Sequence, residues 1–325
     1  MDSSVEFRTI TSGGVRLQAA VAGSGPLIVL VHGFPEAWCS WRHQIGPLVQ
    51  AGYTVCAMAV RGYDPSDAPA EIADYAMEAM VGDVVAWVES LSPGAPAVVV
   101  GHDWGAAIAW TTALVRPDRV RAVAGFSVPY LGQPERPAID TFREQFTAQG
   151  RFFYIVRFQD VGAAEAELEA DVRGGLRRFY YALAGEAPDG TWPLDKPHGA
   201  TLLDRLPDPE RFPAWLPRAV EDRYVEAFTR SGFFGPISRY RNWERDFEWL
   251  KPHRGRTIDQ PALFLAGDRD LVVKWTPGDL GDHMRPHVPQ IEAPPLLPGC
   301  GHWTQQERPA ETSAALLGWL RRVDA

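Results

Sequence analysis

Between residues 97 and 115 an apolar strand turns straight into a helix with only five residues to make the change. Ala97-Val98-Val99-Val100 is a short continuous apolar run, the pattern of a strand buried on both faces of a parallel sheet. A helical pattern follows from Ala106 to about Val115 and is stopped by Pro117. Gly101-His102-Asp103-Trp104-Gly105 must therefore form the turn. Small residues two before and two after its centre permit a strand-to-helix turn too tight for bulk. The central side chain, Asp103, is then pushed out at the carboxyl end of the sheet, where sites form in α/β proteins.

The rest of the chain agrees with such a sheet. Val15–Val21, Leu27–Val31, Tyr53–Ala59 and Val120–Phe126 read as strands, alternating with helical stretches. After about Leu131 the strand signals vanish and the chain becomes aromatic, Arg-rich and helical, with breaks at Pro188, Gly190, Pro193, Pro197, Pro207 and Pro213. The strand pattern returns at Pro261–Gly267, and an amphipathic helix with Ala314, Leu317 and Leu320 on its apolar positions closes the chain. The expected fold is α/β: a mostly parallel central sheet with helices on both faces, interrupted by a helical cap. The expected divisions are residues 1–131 and 246–325 for the two parts of the core and 132–245 for the inserted lid.

Composition removes several classes of function. Lys+Arg 32 against Asp+Glu 41 leaves a net charge of −9, which argues against nucleic acid and anionic membrane surfaces as partners. No apolar run reaches the ~18 residues of a membrane span, and Met1–Glu6 has no basic start leading into an apolar stretch, so neither a membrane anchor nor a signal peptide is expected. Cys39, Cys56 and Cys300 lie far apart with no CxxC pair, which suits free thiols in a reducing cytoplasm. His283 and His287 have the spacing of a zinc helix, but Pro286 sits between them and no Glu supplies the base. Gly23-Ser24-Gly25 precedes a strand and has Ile28 where a dinucleotide loop needs its third Gly. What remains is a neutral organic substrate and chemistry that needs no metal or organic cofactor.

Asp103 sets that chemistry. A carboxylate is ionised at pH 7 and needs no base to act as a nucleophile, so it can attack an sp³ carbon and form an alkyl ester. The plainer alternative is an Asp that only caps the following helix. The remaining groups follow in the chain order that such a turn predicts, nucleophile, then acid, then His. Asp270 lies in Gly267-Asp268-Arg269-Asp270, just past a strand, with Asp268 as its rival for the acid. His302 lies on the Gly-flanked loop Gly299-Cys300-Gly301-His302-Trp303. A carboxylate on one imidazole nitrogen fixes the tautomer and frees the other nitrogen to take a proton from water. In His32-Gly33-Phe34-Pro35, the backbone N–H of Phe34 would pair with that of Trp104 as an oxyanion hole, with Phe34-Pro35 a candidate cis bond. His32 and His102 are expected to be structural.

These residues resemble the soluble epoxide hydrolases of the α/β-hydrolase superfamily, and the resemblance spans nearly the whole chain. It rests on His32–Pro35, Gly101–Gly105, Gly267–Asp270, Gly301–Trp303 and two cap segments, Phe153–Gln159 and Ser231–Asn242. It implies an α/β-hydrolase fold, an epoxide and water as partners, and two epoxide-binding tyrosines at Tyr154 and Tyr240. A phenol stays protonated at pH 7 and can give a proton to the opening ring oxygen, which would otherwise leave as an alkoxide. One segment departs from the family: Ala59-Val60-Arg61-Gly62-Tyr63-Asp64-Pro65 lacks the acidic residue usual before Arg-Gly-Tyr and the Gly usual after it. That turn is expected to bear on the fold more than on the chemistry. Two rival readings stand beside this one. A haloalkane dehalogenase would use the same Asp ester but must bind halide, through Trp104 with Trp192, Trp215 or Trp243. A binding protein on a retired hydrolase scaffold would be expected to lack a triad member, and all three are present.

Overall fold

The computed structural model describes residues 5–276 and 278–325. Its strands are β1 (Glu6–Ser12), β2 (Val15–Ala22), β3 (Leu27–Val31), β4 (Thr54–Met58), β5 (Ala97–His102), β6 (Val120–Phe126), β7 (Ala262–Leu265) and β8 (Ile291–Glu292). They form one eight-stranded sheet in the order β1-β2-β4-β3-β5-β6-β7-β8. β1 and β2 pair antiparallel, as do β2 and β4; every other pairing is parallel. The mostly parallel sheet read from the sequence is present.

Burial explains which strands the sequence announces. β3 and β5 are buried at every position, so they read as continuous apolar runs. β1 carries mostly exposed residues at the sheet edge and gives no such signal; β8 is only two residues long. Both were absent from the expected strands. Within β3 and β5 alternate residues face opposite cores: Val29, Val31 and Val99 join one apolar cluster, Ile28, Leu30, Val98 and Val100 the other.

Three core helices are α1 (Arg42–Gln50), α2 (Met77–Leu91) and α3 (Trp104–Val115). α1 packs with the closing helix Pro309–Val323 on one face, while α2 and α3 cover the other. The closing helix differs in phase from the expectation. Its buried stripe is Thr312, Leu316, Trp319 and Leu320, with Ala314 exposed and Leu317 half-buried. The i, i+4, i+7, i+8 spacing of that stripe follows the helix, whereas the three-residue spacing of 314, 317 and 320 drifts off the packed face.

Between β6 and β7 the described residues form helices, among them Ala138–Gln145, Tyr154–Arg157, Val172–Ala182, Arg218–Ser231 and Trp243–Leu250, the last of which runs across position 245. Their apolar side chains join the same cluster as α2 and α3, so this layer shares its core with one face of the sheet. Polar ties fasten it as well: Tyr180 donates to the Pro35 carbonyl at 2.9 Å, and the Tyr224 and Ser40 hydroxyls lie 2.6 Å apart. The atypical 59–65 turn is held by Arg61, whose guanidinium grips Asp83 in a buried two-pronged pair at 2.6 Å and donates to the Asp74 carbonyl at 2.7 Å.

Candidate active site

The pentapeptide turns as its composition demands. A Cβ at Gly101 would run into the Gly105 carbonyl, and a Cβ at Gly105 into the Val31 carbonyl. Asp103 has φ 52° and ψ −121°, a backbone state that a non-glycine residue adopts only when its surroundings enforce it. Asp103 stands at the N-cap position of α3, but its side chain makes no capping bond there. Instead Oδ1 accepts the Phe34 N–H at 2.8 Å, and Oδ2 lies 3.5 Å from His302 Nε2. Trp104 opens α3, where an N–H has no intrahelical acceptor. The Phe34-Pro35 bond is cis.

His302 Nδ1 meets both oxygens of Asp270, at 3.1 and 3.2 Å. Asp270 is fully buried five residues past β7, at the N-cap of the short helix Leu271–Lys274, where it also accepts the Val272 N–H at 2.9 Å. Asp268, the other candidate, accepts the Gly299 N–H at 2.8 Å and so braces the loop before His302. Burial works against charge on both members of the pair. For Asp270 that cost is outweighed by His302 and the hydrogen bonds it receives, and its carboxyl is held below the usual range. For His302 it is outweighed by Asp270 and Asp103, and its imidazole is held well above its ordinary value.

Tyr154 and Tyr240 come together above this group, their rings 6.0 Å apart. Gln159 joins the two segments, donating to the Ile155 carbonyl at 2.8 Å and the Tyr240 carbonyl at 2.9 Å. Burial first, and then the charge of Asp103, push both phenols above their ordinary range and keep their protons on. The Trp104 ring stands edge-on to the Tyr240 ring at 5.0 Å. Asp103, Tyr154 and Tyr240 line a common cavity with Phe34 and His302.

One group went unread in the sequence. Glu36, fully buried behind the turn, accepts from Gly33 N–H at 2.9 Å, His102 Nδ1 at 2.7 Å, and the Gln305 and Gln306 amides at 2.8 and 3.1 Å. His102 Nε2 sits 2.7 Å from the His302 carbonyl, which can only accept, so Nε2 donates there. Burial would raise the Glu36 carboxyl, but His102 and the backbone donor bring it down to about 2. Glu36 and His102 thus form a buried hydrogen-bonded pair that ties together the Phe34 loop, the Asp103 turn and the His302 loop. The signal for it was an acid inside the apolar run Phe34-Pro35-Glu36-Ala37-Trp38, which must be paired if it is buried. His32 has the local part expected: its Nε2 accepts the Val60 N–H at 3.1 Å. Glu307, equally unread, receives the N–H groups of Gly185, Gly301 and Trp303 at 2.7 to 3.0 Å and clamps the His302 loop.

A parallel sheet with an Asp-centred strand-to-helix turn, an acid after a later strand and a His on the last loop defines an α/β-hydrolase. Residues 26–309 match the family described as the alpha/beta hydrolase fold. Epoxide hydrolase A of Mycobacterium tuberculosis is 40% identical over 323 residues, 98% of either chain. Among solved structures, an epoxide hydrolase from an endophytic Streptomyces is 43% identical with a TM-score of 0.92, covering 98% of this chain and 96% of its own. Epoxide hydrolase A from Mycobacterium thermoresistibile is 41% identical with a TM-score of 0.91, covering 98% of both. The chain belongs to the epoxide hydrolases of the α/β-hydrolase fold, and it is an enzyme.

Proposed function

We propose that the protein hydrolyses an epoxide to a vicinal diol through an ester on Asp103. The observation that carries this reading is the division of labour between the two Asp103 oxygens: Oδ1 is held by the Phe34 N–H at 2.8 Å, and Oδ2 is free of that slot and faces His302 at 3.5 Å. Oδ2 attacks an epoxide carbon, the C–O bond of the ring opens, and Tyr154 and Tyr240 hold the ring oxygen and give it a proton. Water then attacks Cγ of the ester while His302, oriented by Asp270, takes a proton from it. Negative charge gathers on Oδ1 in that step, where the amides of Phe34 and Trp104 meet it. The alkyl C–Oδ2 bond is kept and the Cγ–Oδ2 bond breaks. Oδ2 takes the proton that His302 removed from the water and leaves as the new hydroxyl of the diol, and the second water proton returns from the Asp103 carboxyl to the tyrosine that gave up its own.

The same electrostatics order the two halves of the reaction. In the free enzyme the charges of Asp270 and Asp103 both raise the basicity of the His302 imidazole. Esterification removes the charge of Asp103, so the imidazole loses one of those partners as hydrolysis begins. In this reading residues 132–245 form a lid that carries both tyrosines, epoxide and water are the only reactants, no cofactor takes part, and the enzyme works in the cytoplasm, with Cys39, Cys56 and Cys300 buried as free thiols.

A single turnover in heavy-oxygen water tests the ester. The expected diol carries no label, and the label appears in the peptide containing Asp103. Label in the first diol, with none in that peptide, would show direct attack by water and remove Asp103 as the nucleophile.

A further inference from the structure

The cavity around Asp103 has two arms of very different size. A wide arm of about 470 Å³ runs from Asp103 and Trp104 past Trp110, Phe142 and Trp243 to Leu131. A narrow arm of about 30 Å³ lies on the other side, closed by Phe34, Phe179, Leu183 and Trp192. Tyr154, Tyr240 and Asp103 border both. Among the described residues His302 lines the narrow arm and not the wide one. A water needs roughly 10–15 Å³ of such space, so the narrow arm has room for about two, while the wide arm is the size of an ordinary organic-ligand pocket.

We infer that the narrow arm is the compartment of the hydrolytic water, the wide arm that of the substrate's substituent, and that the substrates are terminal epoxides bearing one large apolar group. This rests on the epoxide hydrolase reading of the site. The base and the space beside it accommodate water and little else, so a substituent on the second epoxide carbon has to enter the compartment that hydrolysis needs. Such a substrate is penalised most in ester hydrolysis, after the carbon–oxygen bond to Asp103 has formed. Phe179 and Trp192 set the limit. Their rings meet edge-on at 5.2 Å, and Trp192 also stands 5.7 Å from the Tyr154 ring. Trp192 is in addition the wall between this arm and a surface cleft lined by Ala187, Pro188 and Asp189.

The test compares a terminal aryl epoxide, a trans-methyl analogue and a trans-diaryl analogue on the wild-type enzyme, following diol release and intact protein mass together. Diol formation from the diaryl epoxide should be slower than from the terminal one by about 10² or more, the discrimination a filled apolar pocket can deliver. Its ester, one whole substrate heavier than the protein, should accumulate, and the methyl analogue should fall between. In Phe179→Leu and Trp192→Ala the ratio should shrink at least about tenfold, with less ester standing. The two variants differ in how much packing they remove, and the wild-type comparison needs neither. Equal diol rates across the panel with no standing ester would overturn the assignment of the arms and leave the epoxide hydrolase reading intact. A diaryl epoxide that neither reacts nor labels the protein would overturn it too, because the block would then lie in alkylation. No diol and no adduct from any of the three would remove both readings.

Discussion

The two sides of the site are held by different forces. On the sheet side, Asp103, Asp270 and His302 are fixed by hydrogen bonds and charge: the Phe34 amide, the Asp270–His302 contact and, behind them, the buried Glu36–His102 pair. On the lid side, Tyr154 and Tyr240 are fixed mostly by rings. Tyr154 packs edge-on against Phe153, Phe158 and Trp192, and Tyr240 against Phe34, Phe158 and Trp104, with Gln159 as the shared polar tie. A group that must change charge during a reaction needs partners of fixed orientation, which a sheet edge supplies. A group that must stay neutral until it donates is better surrounded by apolar surface, which holds its proton on. Both surroundings serve the proposed chemistry, but they should fail differently.

The largest difference is expected at His302. In His302→Gln, overall turnover should fall by about 10⁴, the scale of losing the working tautomer of a triad. The protein should still be alkylated and gain the mass of one epoxide. Mass spectrometry that finds no adduct would mean His302 is needed for the first step, contrary to the proposed order. A dehalogenase would gain only the substrate less hydrogen halide, and only from a halide donor.

Next comes the buried pair, which should register in stability. Glu36→Gln removes the buried carboxylate that accepts from Gly33, His102, Gln305 and Gln306, and leaving such buried donors poorly paired costs about 1–3 kcal/mol. The Glu36 carboxyl is held at about 2 in the folded protein against an ordinary 4.5. Its contribution is therefore full above pH 4.5 and is lost as the pH falls toward 2. Urea unfolding of wild type and variant should differ most near neutrality and converge in acid; a gap that holds constant or widens in acid would refute the lowered Glu36 carboxyl.

The lid side should give a smaller, purely kinetic effect. Tyr154→Phe or Tyr240→Phe keeps the ring packing and removes one donor, so alkylation should slow by about 10²–10³ with little change in unfolding. Replacing both should nearly abolish it. Folded single variants with near-full rates in pre-steady-state alkylation would remove the tyrosines from the reaction.

The strand-to-helix turn was legible because its cause is local: glycines at 101 and 105 are the only residues that clear the neighbouring carbonyls, and the residue between them is held out by that geometry. β3, the apolar run Ala97–Val100 of β5 and, apart from the half-buried Arg121, β6 were legible for a similar reason, since strands buried on both faces must be largely apolar. β1 was not, because an edge strand with its side chains in water carries no such mark. Tyr154 and Tyr240 stood out from other tyrosines only through the family pattern around them. Tyr180 and Tyr224 are buried as deeply as Tyr240, and nothing in composition separates them from the pair in the site.

By itself the sequence determined the central strands of the sheet, the turn and the chain order of Asp103, an acid past a later strand and His302, since each rests on a short stretch whose own sterics or polarity leave few alternatives. The tertiary structure decided which of Asp268 and Asp270 reaches His302. They are two residues apart on one loop, and the 3.1 Å contact that separates them spans 32 positions. It decided the Glu36–His102 pair, whose members are 66 positions apart. It decided the unequal arms of the cavity as well, because the space left beside Asp103 depends on how Phe179 and Trp192 from the helical layer pack over the sheet. A sequence specifies those side chains, but the volume they leave is a property of the packed whole.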